Sequence, residues 1–295
     1  MKTFLTFLSL LLFFSGITKA QQPIEINEES ISFQKSSIPG FSVRIPEANY
    51  EETVKNWVKL LQSGTKSKVV NDNGQMSIFG AKIKDISDTP VNVYSSIERV
   101  DSSVNLKTAF ELRKDEYAGA AEKENARKYL MDFAKDQYLS VVKNQLNTEK
   151  NNLNKLEKDL ASLERDQKKL EKTNRDNYTL ISSENGRLDA LNNQLASLTA
   201  EMNTRTNPNA NTGMGASSDN DPGKVKDLNK EIKKTGKEIK DSEKRISKAE
   251  KEIADNKREI PGNIENQNDA RMKVSHQQAV VQQLEDKLER IKNFK

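Results

Sequence analysis

Between residues 139 and 202 apolar side chains recur at alternating steps of three and four, and the phase never slips. Leu139, Leu146, Leu153, Leu160, Ile181, Leu188, Leu195 and Met202 occupy one heptad position, and Val142, Leu156, Leu163, Leu170, Leu191 and Leu198 the other. Charged residues fill the places between. A stripe this narrow is a coiled-coil seam, which a helix can bury only against another helix. The second helix is in the same chain. Val225, Ile232, Ile239, Ile246, Ile253, Ile260, Val274, Val281 and Leu288 form a later run. Leu228, Ala249, Ala270, Leu284 and Ile291 share its other position, diluted by Thr235, Ser242, Asn256, Asn263 and Gln277.

The two runs are separated by residues 204–223, which hold Asn207-Pro208, Gly213, Gly215, Ser217-Ser218 and Pro222-Gly223, a flexible, turn-forming composition. Asp221 followed by Pro222 is a helix start, an N-cap and then proline at the first helical position. Two runs of similar length, each on the order of 100 Å when helical, predict an antiparallel hairpin of a first helix (116–203), a tip loop (204–223) and a second helix (224–295). If Met202 meets Val225 at the tip, Lys143 comes near Glu285, Glu157 near Arg271 and Glu171 near Lys257, all opposite in sign. On the other flank Arg187 meets Glu238 favourably, and Asp166 meets Glu259 unfavourably. Gln167, Asn174, Asn177 and Glu184 make the first seam polar in its middle, and Pro261-Gly262 predicts a kink in the second helix.

Such helices suit the composition. Only 34% of the 295 residues are hydrophobic and 31% are charged, too little apolar material for one large globular core. Residues 1–20 read as a signal peptide cleaved after Ala20, with Lys2, an apolar run over 4–14, and Thr18 and Ala20 as the small residues before the cut. The run is well short of the ~20 residues that span a bilayer, and no later segment would cross one. The expectation is an exported protein of a bacterium, in the periplasm, at the surface or in the medium. Loss of Lys2 and Lys19 lowers the formal charge from +4 to about +2. The lysines over 224–251 alternate with Glu231, Glu238, Asp241, Glu243 and Glu250, a solvated helix face rather than a nucleic-acid stripe.

Residues 21–115 have a different texture. Residues 24–33 and 41–45 read as strands around Ile38-Pro39-Gly40. Residues 50–62 read as a helix with Val54, Trp57, Val58 and Leu61 on one face. Further strands are expected over 68–71, 75–85, 91–101 and 104–112, bounded by residues of turn composition. Alternation in Val91, Val93, Ser95 and Ile97, and in Val104, Leu106, Thr108 and Phe110, predicts a sheet with one wet face. The fold class is therefore a small N-terminal α+β domain, an antiparallel sheet plus one helix, followed by a long all-α antiparallel coiled-coil hairpin. Tyr129, Leu130, Phe133 and Tyr138 open the first long helix out of heptad phase, as a surface that docks it on this domain.

Candidate chemistry is sparse. With no cysteine, disulfides, thiolate metal sites, a cysteine nucleophile and a lipid-modified N-terminal cysteine are excluded. His276 is the only histidine, which excludes a histidine triad or a histidine-clustered metal site and leaves it as an exposed helix residue. Gly223-Lys224 lacks the remainder of a phosphate-binding loop. Trp57 could stack on a ligand, but its helical spacing makes it core. Asp85 and Asp88 could hold a cation, but they stand at a turn, where aspartate is favoured for backbone reasons. Asn177-Tyr178-Thr179 matches a glycosylation acceptor in the middle of a helix. No catalytic, cofactor-binding or metal-binding residue emerges, and the expectation is a protein without enzymatic activity or cofactor.

The pairing of a signal peptide with a coiled-coil hairpin resembles periplasmic holdase chaperones of the Skp type, over the hairpin alone. That resemblance implies capture of unfolded clients. In that family a β-rich trimerisation core flanks the hairpin on both sides, whereas this sequence reaches Lys295 still in heptad phase. The reading that fits the residues is an exported coiled-coil spacer, scaffold or protein-interaction module of the cell envelope, with protein partners or self-association. A holdase is the alternative. It predicts exposed apolar residues off the seam, for which Tyr178, Leu180 and Ile264 are the candidates.

Overall fold

Asn49 turns the chain from strand to helix. In the computed structural model, which describes residues 24–119, 121–206 and 221–294, its side chain accepts a hydrogen bond from the Glu52 amide at 3.0 Å. Helix α1 (Tyr50–Leu61) follows, with Glu51 and Glu52 in its first turn, where the helix dipole favours acids. Thr53, Trp57 and Leu61 are buried on one face, with Val54 and Val58 half-buried beside them.

That face covers an antiparallel sheet. Its strands are β1 (Ile26–Phe33), β2 (Ser36–Pro46), β3 (Val70–Asp72), β4 (Gln75–Ala81), β5 (Val91–Val100), β6 (Ser103–Arg113) and β7 (Glu116–Tyr117). They lie in the order β1-β2-β6-β5-β4-β3, with β7 paired to β6. Alternation holds: Val91, Val93, Ser95 and Ile97 of β5 and Val104, Leu106, Thr108 and Phe110 of β6 are all buried. Asn73 and Gly74 take positive φ at the β3–β4 turn, and Asp101 does so between β5 and β6.

Three expectations change here. Ile38-Pro39-Gly40 is not a turn: it lies inside β2, where Pro39 pairs with Ser30, and the turn falls at Gln34, whose φ is 52°. Gly40 serves close approach instead, since a Cβ there would stand 2.7 Å from the Thr108 carbonyl oxygen. The first long helix does not begin at 116. Asp115 turns with φ 60°, Glu116–Tyr117 pairs back on β6, and α2 (Lys123–Thr206) opens later, with the Lys123 amide donating to the Gly119 carbonyl at 2.8 Å. Finally, α1 does not cover the sheet alone. The docking surface expected on the first long helix supplies the rest: Leu130, Phe133 and Tyr138 of α2, with Ala126, Ala134 and Val142, join the same core, as do Leu288 and Ile291 of α3 (Pro222–Lys292), and Tyr129 packs against it.

Helices α2 and α3 pack together as an antiparallel hairpin, consistent with a coiled coil. Asp221 caps α3 as expected, its carboxylate accepting from the Gly223 amide at 2.8 Å. The chain divides into two compact units, one holding the sheet, α1 and residues 121–151 and 278–294, the other being Asn152–Gln277. Residues 1–20, read from sequence as a signal peptide, and residues 207–220 of the expected tip loop lie outside the described residues.

In the unit that holds the sheet, Lys287 bridges Glu47 at 2.6 Å and stands over the Tyr138 ring at 5.4 Å, while Lys135 donates to the Phe294 carbonyl at 2.9 Å. These contacts hold the start of α2 and the end of α3 on the same core. Lys150 pairs with Glu285 at 2.6 Å.

Unit Asn152–Gln277 has a polar ladder where a coiled coil normally has leucine. Asn256 donates to Asn174 at 2.9 Å, both buried. Gln267 donates to Gln167 at 2.6 Å and lies 3.4 Å from the Leu163 carbonyl. Arg245 grips Glu184 with two hydrogen bonds, at 2.8 and 2.9 Å, and also reaches Ser242 at 2.9 Å. Buried polar seam residues cost stability and fix register, because any slip leaves them unpaired. The register they fix lies three residues from the one expected, so that Met202 comes level with Leu228 rather than Val225. The charged flank shifts with it: Glu285 meets Lys150 instead of Lys143, and Arg271 meets Glu164, at 3.0 Å, instead of Glu157. Lys257 lies over the Tyr178 ring at 5.7 Å, and Arg187–Glu238 forms as expected, at 3.4 Å. Helix α3 runs unbroken through Pro261.

The Glu184 carboxyl is pulled down to about 2 by its hydrogen bonds from Arg245 and Ser242, which outweigh burial. A carboxyl held below its ordinary value of 4.5 contributes stability that is whole above that pH and disappears as the pH falls towards 2. Melting of the wild type and Glu184→Gln by circular dichroism should therefore differ at pH 7, and the gap should close between pH 4.5 and 2. A gap that stays constant over that window would remove the ion pair from the account.

Candidate binding face of the sheet

One face of the sheet is covered by α1 and by the helix segments of the same unit. On the other face stand Asn92, Tyr94 and Ser96 of β5, Ala109 and Glu111 of β6, Ser77 and Phe79 of β4, and Val70 of β3, as alternation along each strand requires. This face is not simply wet. The tip of the β1–β2 hairpin lies across it, because β2 pairs with β6 only from Phe41 onward and the preceding residues leave that ladder. Ile31 and Ile38 pack with Ala109 in a second small core, flanked by Phe33, Tyr94 and Tyr117. The Gln34 amide donates to the Gln75 side chain at 2.9 Å, fastening the tip to β4.

Three rings run in series along this face. Phe33 and Tyr94 have centroids 4.9 Å apart, and Phe79 meets Tyr94 edge-on at 6.2 Å. Phe79 is 59% exposed and Val70 57%, so the series ends in open apolar surface. Beneath it lies the Glu111 carboxylate, only 7% exposed. It accepts from Asn92 Nδ2 at 2.8 Å, the Tyr94 hydroxyl at 2.9 Å and the Asp115 amide at 3.0 Å. Burial pushes the Glu111 carboxyl up, but these three hydrogen bonds together outweigh it and hold the group below the usual carboxylate value. Burial and the hydrogen bond to Glu111 push the Tyr94 hydroxyl up to about 12. At neutral pH the arrangement is therefore an ionised carboxylate held by three neutral donors.

The residues weighed from sequence lie elsewhere. Trp57 is fully buried on α1, its indole donating to Ser95 at 2.9 Å and its ring edge-on to Phe133 at 4.9 Å. Asp85 and Asp88 are exposed on the turn that follows Ile83, and His276 is exposed on α3. Among the described residues no group of three or more acids or histidines is placed to hold a metal, and no helix is long and apolar enough to cross a membrane. Sequence reading missed Phe79, Tyr94 and Glu111. Their signal was there: with Met76 and Ile78 inward, alternation puts Phe79 outward, an aromatic where a wet face would carry polar residues. In comparison with known proteins, no family model matches the chain and no curated protein matches it.

Proposed function

We propose that this is an exported, non-catalytic protein of the bacterial envelope that acts as a scaffold, spacer or protein-interaction module. The observation that carries the reading is the exposed end of the aromatic series, Phe79 with Val70, on a sheet face that α1 leaves open. Phe79 stands more than half exposed where the register between β4 and β5 shifts, after Ile78, and with Val70 it leaves apolar surface that supports an interaction site. The hairpin supplies the second half of a scaffold, since its polar ladder fixes one register at a cost in stability. The signal-peptide pattern of residues 1–20 supports export.

The holdase reading has its own observation. Tyr178, Leu180, Ile264 and Met272 of the hairpin are 49%, 36%, 41% and 50% exposed, off the seam, where unfolded clients could be held. In-cell photo-crosslinking from Asp189 and from Lys82, followed by mass spectrometry, separates the two. One recurrent partner is the expected result, and its position shows which unit carries it. A broad set of unfolded envelope proteins crosslinked at Asp189 would replace the scaffold reading with the holdase.

A further inference from the structure

We infer that the open sheet face docks an arginine side chain of a partner protein, over Phe79 and Tyr94 and towards the Glu111 carboxylate. The inference rests on the interaction-module reading and names the chemistry of its partner.

Charge is the first ground. Glu111 is almost fully buried, yet among the described residues no lysine or arginine forms an ion pair with it. The nearest basic residues of its own strand are engaged elsewhere, Lys107 with Glu98 at 3.2 Å and Arg113 with Glu116 at 3.5 Å. Asp115, whose amide donates to that carboxylate, carries a negative charge felt by the neighbouring Tyr94 and Tyr117 hydroxyls. Among the described residues Glu111 is thus a carboxylate with no cation paired to it.

The rings supply the second ground. An aromatic face is electron-rich and attracts a cation, arginine most often. Tyr94 donates its hydroxyl proton to a carboxylate, which makes its ring richer still. A planar guanidinium can lie on a ring and still direct N–H groups at a carboxylate, which an ammonium does less well. The surface also favours a side chain on another protein over an enclosed small molecule. Phe79 of β4 and Val70 of β3 are more than half exposed on neighbouring strands, and β3, only three residues long, is the edge of the sheet.

The test is a titration of the full-length isotope-labelled protein with a tri-arginine peptide, read by the backbone amide signals of residues 79, 94 and 111. A tri-citrulline peptide, of the same shape without the charge, is the control. Saturable shifts at those three positions with tri-arginine and none with tri-citrulline are expected. Phe79→Ala, at an exposed position, should weaken the interaction roughly twofold to fivefold, the size of one exposed cation–π contact. Glu111→Gln should weaken it further, with the circular dichroism spectrum unchanged. Equal shifts with both peptides, shifts scattered over the acidic helix residues, or an unaltered titration in Phe79→Ala would overturn the inference. Crosslinking from Lys82 separates this failure from failure of the broader reading: a recurrent partner at Lys82 without tri-arginine binding leaves the interaction module standing and removes only the cation.

Discussion

Trp57→Ala should destabilise the unit that holds the sheet by about 3–5 kcal/mol, the cost of emptying a fully buried aromatic site. Trp57 is 0% exposed and touches all three layers of its core. It sits on α1, its ring packs edge-on to Phe133 and Tyr129 of α2 at 4.9 and 6.2 Å, and its indole donates to Ser95 of β5. The deletion leaves a cavity and also a buried hydroxyl. Ser95 lies opposite Thr108 on β6, and the Thr108 hydroxyl already has no partner among the described residues. Trp57→Phe separates the two effects. It keeps most of the apolar burial and loses the indole N–H, so it should cost about 1–3 kcal/mol, the range for leaving a buried polar group unpaired. Because Trp57 is the only tryptophan, wild-type fluorescence in urea follows this unit alone. The variants are followed by circular dichroism and by amide signals of β5 and β6. A midpoint for Trp57→Ala within about 1 kcal/mol of wild type, well under the expected cavity cost, would mean that α1 is not part of the cooperative core.

The elements visible in the sequence were those with a local cause. Helix α1 follows from a 3.6-residue apolar stripe, and the start of α3 follows from Asp221-Pro222, both set by residues a few positions apart. Strands β5 and β6 are legible through strict alternation. What the sequence concealed was non-local. A heptad pattern matches itself after any shift that keeps apolar residues opposite one another, so leucines alone cannot fix the register. The register depends on Asn174 finding Asn256 and Glu184 finding Arg245, and each looks like a mere interruption when its helix is read alone. The candidate binding face was hidden for a similar reason. Whether Tyr94 faces water depends on the β1–β2 tip lying across β5, and Glu111 meets Asn92 and Tyr94 only once β5 and β6 pair.

Pro261→Ala with Gly262→Ala should stabilise Asn152–Gln277 by about 4 kcal/mol, roughly 3 from the interior proline and 1 from the glycine. Helix α3 continues through both residues, so the helix bears the cost of each without ending there. Proline has no N–H to give the Lys257 carbonyl one turn earlier. Glycine loses more backbone freedom than alanine on entering a helix. Both positions are exposed, and a Cβ at Gly262 would meet nothing within 4 Å, so the substitutions introduce no clash. The pair lies beside Asn263 and Gln267, where the seam is polar and the facing residue is Gln167. Two separate weaknesses, in backbone and in seam, therefore coincide over a few residues of α3. Helices with such a segment open there first, which is the physical content of a hinge. The double variant should melt at a higher temperature, and amides 257–265 should exchange with solvent more slowly, while amides near Leu191 and Leu228 should change little. Slower exchange confined to 257–265 would place the weakest point of the hairpin at Pro261. Unchanged melting and exchange would mean that the proline is accommodated without local cost and that no hinge lies at this height.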